Sequence, residues 1–274
     1  MIQVDRLDPA RLDGARRIVK ELGSVLVAFS GGVDSTLLLR LCMDELGAGA
    51  VAALAASPAF SAAELDDARS LAQAMGARLV EVETGEMALE PYLANGPDRC
   101  FHCRDELFGV LEPVRARLGL GYLAYGATAD DLQDHRPGHG SALRRGVRFP
   151  LLEAGLGKPQ IRAAARGLGL PNWDRPSLAC LSSRIPHGTR ITEPALRQIE
   201  RAEAAVRGLG FRQVRVRHHG DVARLEVEEG EIARALELRE ELGARLRGCG
   251  YRFAALDLEG YRTGKLSRPA RGRP

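Results

Sequence analysis

Three groups of residues in this chain could do chemistry. The stretch Ser30-Gly31-Gly32-Val33-Asp34-Ser35-Thr36 joins adjacent glycines to hydroxyls and one carboxylate. A glycine pair lets backbone N–H groups turn toward an anion with no Cβ in the way. Ser30, Ser35 and Thr36 add hydroxyl donors, and Asp34 can hold a hard cation such as Mg²⁺. No lysine sits in the stretch, so it is not the G-x-x-x-x-G-K-[ST] loop. A phosphate cradle of this composition suits pyrophosphate handled as a leaving group. The second group is Cys100-Phe101-His102-Cys103, flanked by Arg99 and Arg104, which would keep a thiol reactive. A C-x-x-C pair serves as a redox couple, half of a zinc site, or two ligands of an iron–sulfur cluster. The third is Cys180 in PSLACLSSR (176–184), a polar, turn-prone loop in which Arg175 and Arg184 favour a nucleophilic sulfur. Cys42 falls in the first helical pattern and Cys249 just before the last strand, and both read as core thiols.

The elements that must position these groups follow from periodicity. Apolar runs at 24–29, 50–56, 77–83, 121–126 and 147–152 read as strands, and helical patterns cover 34–46, 61–75, 104–118 and 158–167. Their alternation predicts an α/β domain over 1–190: a doubly wound, five-stranded parallel sheet with its ligand crevice at the carboxyl ends of the strands. The Asp-, Gly-, His- and Arg-rich segment 127–146 and the loop 171–192 interrupt the rhythm where functional loops belong. Asp130, Asp131 and Asp134 follow the fourth strand and line the crevice or cap the surface. From 193 the pattern runs helix 193–208, strands 212–217 and 222–227, helix 231–247, strand 251–257. This is a small α+β domain over 191–267, followed by a disordered tail at 268–274.

Composition narrows the setting. With 274 residues, 45% hydrophobic and 27% charged, the chain can bury a core without metal or disulfide staples, so any metal serves chemistry. The net charge of +3 does not by itself argue for nucleic acid or anionic membrane. It is uneven, however: residues 190–274 hold 18 Arg or Lys against 13 Asp or Glu. Only Lys20, Lys158 and Lys265 are lysines; arginine supplies every other cation. The first residues are polar and acidic with no apolar signal core, and no run is long and apolar enough to span a membrane. The expectation is a cytoplasmic protein whose five cysteines serve thiol or metal chemistry.

The SGGVDS stretch resembles the signature of the PP-loop ATP-pyrophosphatases, which cleave ATP between the α and β phosphates and pass an adenylate to a nucleophile. The wider chain, over 20–266, resembles the LarE family of ATP-dependent sulfur transferases in nickel-pincer (lactate racemase) cofactor synthesis. The likeness rests on VAFSGGVDSTLL (27–38), GPDRCFHCRDELF (96–108), YGATADDLQDHRPG (125–138), PSLACLSSRIPHGTRIT (176–192), VRVRHHGDVARLEV (214–227) and LDLEGYRTGKL (256–266), in that order.

The resemblance implies ATP and Mg²⁺ as cofactors and pyridinium-3,5-biscarboxylic acid mononucleotide as the small-molecule substrate. Its carboxylates would be adenylated and then converted to thiocarboxylates. Cys180 would supply sulfur by sacrifice, or Cys100, Cys103 and Cys180 would hold a [4Fe–4S] cluster that carries it. Asp34 would be the Mg²⁺ ligand. Ala28, Ser30, Gly31, Gly32, Asp34, Ser35, Ser57 and Gly126 would be the ATP contacts. Arg184, Arg215 and Arg217 would meet the substrate's phosphate and carboxylates; 215 and 217 point to one face of a strand. The resemblance also implies a homo-oligomer and partner proteins of cofactor synthesis. A PP-loop tRNA thiolase is the nearest rival, but the C-terminal region lacks an aromatic-interleaved RNA platform. An ammonia-dependent ligase such as an NAD synthetase leaves Cys180 and the C-x-x-C unexplained. A nucleotide-sensing module has no need of an activated thiol.

Overall fold

The run Val25–Phe29 is buried at every position, as a strand covered on both faces must be. In the computed structural model, which describes residues 8–132, 138–176 and 179–262, it is β1, the second strand from one edge of a parallel sheet. The other strands are β2 (Ala50–Ala56), β3 (Leu79–Glu83) and β4 (Tyr122–Tyr125), in the order β3-β2-β1-β4. The register is in phase, with Val25 opposite both Ala50 and Tyr122.

Alternate residues feed two cores. Val25, Val27 and Phe29 pack with the helices α1 (Pro9–Leu22), α2 (Val33–Leu46) and α3 (Ala62–Ala74). Leu26 and Ala28 pack on the opposite face against Phe108, Leu111 and Val114. In chain order the further helices are α4 (Glu90–Leu93), α5 (Arg99–Arg117, which carries those three residues), α6 (Gly138–Arg144), α7 (Pro150–Glu153) and α8 (Lys158–Gly167). The connections from β1 step outward to β2 and β3, then return to place β4 on the other side of β1. The chain thus reverses direction between β1 and β4, where an open α/β sheet opens its crevice.

The fifth strand expected at 147–152 does not form. Arg148 makes one bridge to Ala124, and Pro150 then opens α7. Proline lacks the N–H a ladder needs, and the Phe149 N–H is taken by the Glu153 carboxylate at 2.8 Å. Helix α1 is absent from the expected elements; Asp8 caps it, Pro9 opens it, and Ala15, Val19 and Leu22 turn inward.

Contacts divide the chain into two units: residues 1–89 with 98–178, and residues 90–97 with 179–274. The ACLSSR loop therefore belongs to the second unit, although the boundary near 190 puts it in the first. The short segment 90–97 joins it through Asn95, whose amide donates to the carbonyls of Ile185, Pro186 and Thr189. The second unit carries α9 (Glu193–Arg207) and a three-stranded sheet. In that sheet β5 (Val214–His219) pairs antiparallel with β6 (Val222–Val227), which pairs parallel with β7 (Phe253–Leu256). The helix expected at 231–247 is broken at Leu238 into α10 (Ile232–Glu237) and α11 (Arg239–Gly248). Asp134, Lys265 and the tail 268–274 lie outside the described residues.

Candidate active site

The cradle in the first unit is built by the turn from β1 into α2. Gly31 adopts φ +71°, and a Cβ there would lie 2.9 Å from the Ala68 Cβ, so the position requires glycine. Gly32 caps α2 with no side chain, leaving the first-turn N–H groups of a 14-residue helix directed at the loop. Ser35 accepts the Ser30 N–H at 3.2 Å and donates to the Gly32 carbonyl at 3.0 Å; Thr36 donates to the same carbonyl at 2.9 Å. These bonds shape the loop and leave the Ser30 side chain exposed.

Two contacts bring the cradle against the rest of the sheet edge. Gly126, just past β4, approaches so closely that a Cβ would meet the Ser35 nitrogen at 2.9 Å. Asn172 donates to the Gly31 carbonyl at 2.9 Å and to the Thr36 hydroxyl at 3.0 Å. Ser57 follows β2 at the same edge, its hydroxyl accepting the Ala59 N–H at 3.1 Å, and Ala28 is buried within β1. Of the residues proposed for ATP, all eight thus lie in the first unit, on β1, on its loop, in the first turn of α2 or just past the carboxyl ends of neighbouring strands.

Asp34 sits in the first turn of α2, with its Oδ1 buried and without a hydrogen-bond partner. Its Oδ2 is clasped by the ammonium of Lys158, the first residue of α8. Burial pushes the Asp34 carboxyl up, Lys158 opposes this, and the negative charge of Asp131 adds to it. A half-satisfied carboxylate beside exposed hydroxyl oxygen is the donor chemistry Mg²⁺ takes, so the residues fit that ion. Sequence reasoning missed Lys158 because it lies 124 positions from its partner. The one signal was its rarity among the cations.

The C-x-x-C pair opens α5 in the same unit. Cys100 is exposed and Cys103 half-buried, one helical turn apart. Arg99 reaches the Cys100 sulfur at 3.8 Å. Arg104 stacks on the Tyr125 ring at 4.9 Å, donates to its hydroxyl at 3.0 Å, and lies within electrostatic reach of Cys100, Cys103 and Asp131. Arg104 thereby links the thiols to the end of β4 and, through Asp131, to the neighbourhood of Asp34. Among the described residues no group of three or more His, Cys, Asp or Glu side chains gathers as a metal site.

In the second unit Cys180 precedes the short helical turn Leu181–Arg184 and is half-buried. Arg184 does not face outward to a substrate. It is fully buried, grips Glu203 at 2.8 and 3.0 Å, and donates to the carbonyls of Ala179 and Cys180 and the Ser183 hydroxyl. Its guanidinium holds the loop from inside instead of serving the thiol. Arg175, the other flank, pairs with Asp67 in the first unit.

Arg215 and Arg217 are also buried. Arg215 stacks on Tyr261 at 5.3 Å, and burial together with the nearby Arg184 lowers its guanidinium to about 10. Arg217 donates to Glu226 at 2.7 Å and to the Ser183 carbonyl at 2.9 Å, with its Nε buried and unpartnered. Of the two cysteines read as core thiols, Cys42 is fully buried, its thiol pushed up to about 12 by burial, whereas Cys249 is half-buried.

The chain matches the NAD synthase family model over residues 11–99, which covers the cradle and stops one residue before Cys100. It is 42% identical over 261 residues to an uncharacterised protein of Synechocystis sp., spanning 94% of this chain and 97% of that one. It is 36% identical over 250 residues, 91% of each chain, to the pyridinium-3,5-bisthiocarboxylic acid mononucleotide synthase of Lactiplantibacillus plantarum. The chain belongs to that synthase family. Family membership makes it an ATP-dependent, sulfur-transferring enzyme. A glutamine-dependent NAD(+) synthetase of Rhodobacter capsulatus is 43% identical over only 74 residues, 26% of this chain and 13% of that protein. The synthase likeness, by contrast, runs nearly the length of both chains. Among the described residues no helix is long and apolar enough to cross a membrane.

Proposed function

We propose that this enzyme adenylates the carboxylates of pyridinium-3,5-biscarboxylic acid mononucleotide and converts them to thiocarboxylates with sulfur from Cys180. The observation that carries the reading is the Gly31-Gly32 cradle with its half-satisfied Asp34, in a chain that also holds Cys180 on a polar loop. Mg²⁺, held by Asp34, would neutralise phosphate charge when bound. The Gly32 end of α2, Ser30 and Ser35 orient the phosphates, and Ala28, Ser57 and Gly126 border the nucleoside. A substrate carboxylate oxygen attacks the α-phosphorus, the bond to the β-phosphate oxygen breaks, and pyrophosphate leaves.

The acyl-adenylate is then open to the Cys180 thiolate, which displaces AMP and forms a thioester. Loss of the Cys180 Cα proton with cleavage of its Cβ–S bond releases the thiocarboxylate and leaves dehydroalanine. Arg215 and Arg217 are the proposed anion contacts. Arg184, Arg207 and Arg215 all act on the Glu203 carboxylate, and burial with the nearby Arg184 lowers the Arg215 guanidinium, an effect that a bound substrate anion would oppose. The buried Nε of Arg217 is a donor still available. Arg184 positions the loop. The reading assigns the reaction to the cytoplasm, where the free thiols stay reduced, with self-association into a homo-oligomer and other cofactor-synthesis proteins taking the product.

The test is pyrophosphate release with the pyridinium dicarboxylate, compared with tRNA and with ammonia plus a carboxylate. Release with tRNA alone would overturn the reading. Whole-protein mass then identifies the sulfur source. Loss of one H₂S from the Cys180 peptide marks sacrifice. Repeated turnover at constant mass, abolished by Cys100→Ala, would instead mark a [4Fe–4S] cluster on Cys100, Cys103 and Cys180. Cys180→Ala should still release pyrophosphate but form no thiocarboxylate.

A further inference from the structure

The glycine pair that forms the cradle is also its least restrained backbone. The peptide between Gly31 and Gly32 can turn over as a unit, because no Cβ on either residue resists the change. In a planar trans peptide the carbonyl and the following N–H point opposite ways, so the turn decides which of them a phosphate meets. The N–H attracts phosphate oxygens and the carbonyl repels them.

The Gly31 carbonyl is drawn to Asn172, whose Nδ2 donates to it at 2.9 Å from 141 positions away. The Gly32 N–H then points toward the exposed Ser30 side chain and meets its Oγ at 3.4 Å. That bond is long for an N–H donor, which prefers about 2.9–3.0 Å, so a phosphate oxygen can replace it readily. The same Nδ2 donates to the Thr36 hydroxyl at 3.0 Å, and that hydroxyl donates to the Gly32 carbonyl at 2.9 Å. One amide thus draws on both carbonyls of the pair, the first directly and the second through Thr36.

Asn172 is itself fixed. It is buried between Leu170 and Trp173, which pack on the core, and the Arg162 guanidinium holds the carbonyls of Trp173 and Arg175 at 2.8 and 2.7 Å. Its own Oδ1 is buried without a hydrogen-bond partner. A buried acceptor left empty is destabilising, so packing alone does not account for an amide here. What it contributes is its two N–H bonds.

We propose that Asn172 is a positioning residue for the adenylating step, one that locks the Gly31–Gly32 peptide with its N–H toward the phosphates of ATP. The inference rests on the adenylating reading above and adds to it the group that keeps the cradle in its anion-binding form. Asn172 acts through the backbone and exchanges no proton. Without its amide the peptide turns over for part of the time and presents a carbonyl to the phosphates. Every phosphate ligand is then weakened, and the nucleoside is not.

Gly31-Gly32 is the sole Gly–Gly pair in the sequence. Cell-free protein made with glycine labelled at the carbonyl carbon and the nitrogen therefore gives one carbonyl-to-amide NMR correlation, from this peptide. In wild type it should be a single peak whose N–H moves on addition of inorganic pyrophosphate. In Asn172→Ala the peak should shift at the carbonyl carbon and broaden or split as two orientations exchange. By calorimetry, pyrophosphate and α,β-methylene-ATP with Mg²⁺ should bind that variant about tenfold more weakly, the scale of one hydrogen bond withdrawn from a buried carbonyl. Adenosine affinity should be unchanged. Asn172→Asp fills the same space but sets a carboxylate against the Gly31 carbonyl, and it should lose more.

Intact pyrophosphate affinity in Asn172→Ala, or a peak that stays where wild type has it, overturns the proposal and leaves the adenylating reading standing. Equal losses for adenosine and pyrophosphate overturn it too, since they mark general damage to the site. Should neither variant fold, wild type decides: a Gly32 N–H unmoved by saturating pyrophosphate overturns the proposal. No binding of pyrophosphate or of the nucleotide analogue to wild type would overturn both readings.

Discussion

At the scale of single residues, the most consequential side chain in the second unit is one that touches no solvent. Burial alone would raise the Glu203 carboxyl, but the charge and hydrogen bonds of Arg184, with Arg215 and Arg207 beyond, hold it below the ordinary carboxylate range. A carboxyl depressed by folding contributes stability above its unfolded pKa, and that contribution is lost as pH falls through the folded value. Arg184→Met leaves Glu203 buried with less compensation and removes the donors to the Ala179 and Cys180 carbonyls. It should cost ~3–5 kcal/mol in urea denaturation at neutral pH. The gap between wild type and variant should narrow below pH ~4, where a protonated carboxyl no longer needs the guanidinium. A gap independent of pH would mean that packing, not the ion pair, carries the effect. The sequence makes Arg184 visible as a neighbour of Cys180. It does not reveal that the partner is Glu203, 19 positions on, because nothing local distinguishes that glutamate from its surface neighbours on α9.

At the scale of elements, the cradle depends on two backbones meeting. Gly126→Ala would set a Cβ 2.9 Å from the Ser35 nitrogen and 3.1 Å from the Asp34 carbonyl carbon, and neither is the end of a flexible side chain. The end of β4 and the start of α2 must then part. Affinity for the nucleotide analogue should fall about tenfold, or ~1.4 kcal/mol, with a much smaller shift in urea midpoint. Equal losses in binding and stability would instead show global damage.

The segment 90–97 offers a second test. Asn95 is buried at φ +55° and is tied to three carbonyls of 185–189. Asn95→Gly keeps the backbone at ease and loses the bonds, for ~1–3 kcal/mol. Asn95→Ala adds a left-handed alanine and should cost ~1 kcal/mol more. Denaturant midpoints of the two variants check the order.

Elements with strong periodicity were legible: β1, β2, α2, α3, α8 and the β5–β6 pair fall within a few residues of the apolar patterns. The strand at 147–152 was not, because VRFPLL is apolar enough for a strand, and only the missing N–H of Pro150 and the Glu153 cap turn it into a helix. The contact-based grouping of 90–97 with 179–274 leaves little trace in the sequence for a related reason. The pull on 90–97 and 179–189 comes from Asn95 and Arg184, and single buried polar groups leave no periodic trace.

At the scale of the whole molecule, the basic surplus of residues 190–274 raises the question of an RNA-binding face. The second unit spends part of that surplus internally. Arg207 and Arg215 join Arg184 around Glu203, while Arg217 and Arg224 serve Glu226, with Asp257 also on Arg224. Cations engaged in this way release no counterions from a polyphosphate. Further arginines on the exterior are matched by carboxylates three or four positions away, as in the pairs Arg245–Glu241 and Arg234–Glu231. Binding to tRNA should therefore be weak and shallow in salt, with a slope of log K against log salt no steeper than about −2, since each neutralised phosphate contributes roughly −0.7 to −0.9. A mononucleotide substrate presents one phosphate and two carboxylates, so its binding should show a similarly modest slope. Fluorescence titrations between about 50 and 200 mM salt measure both. A tRNA slope near −6, with affinity retained at the upper salt, would require a multi-phosphate face and would move the function toward the tRNA thiolases.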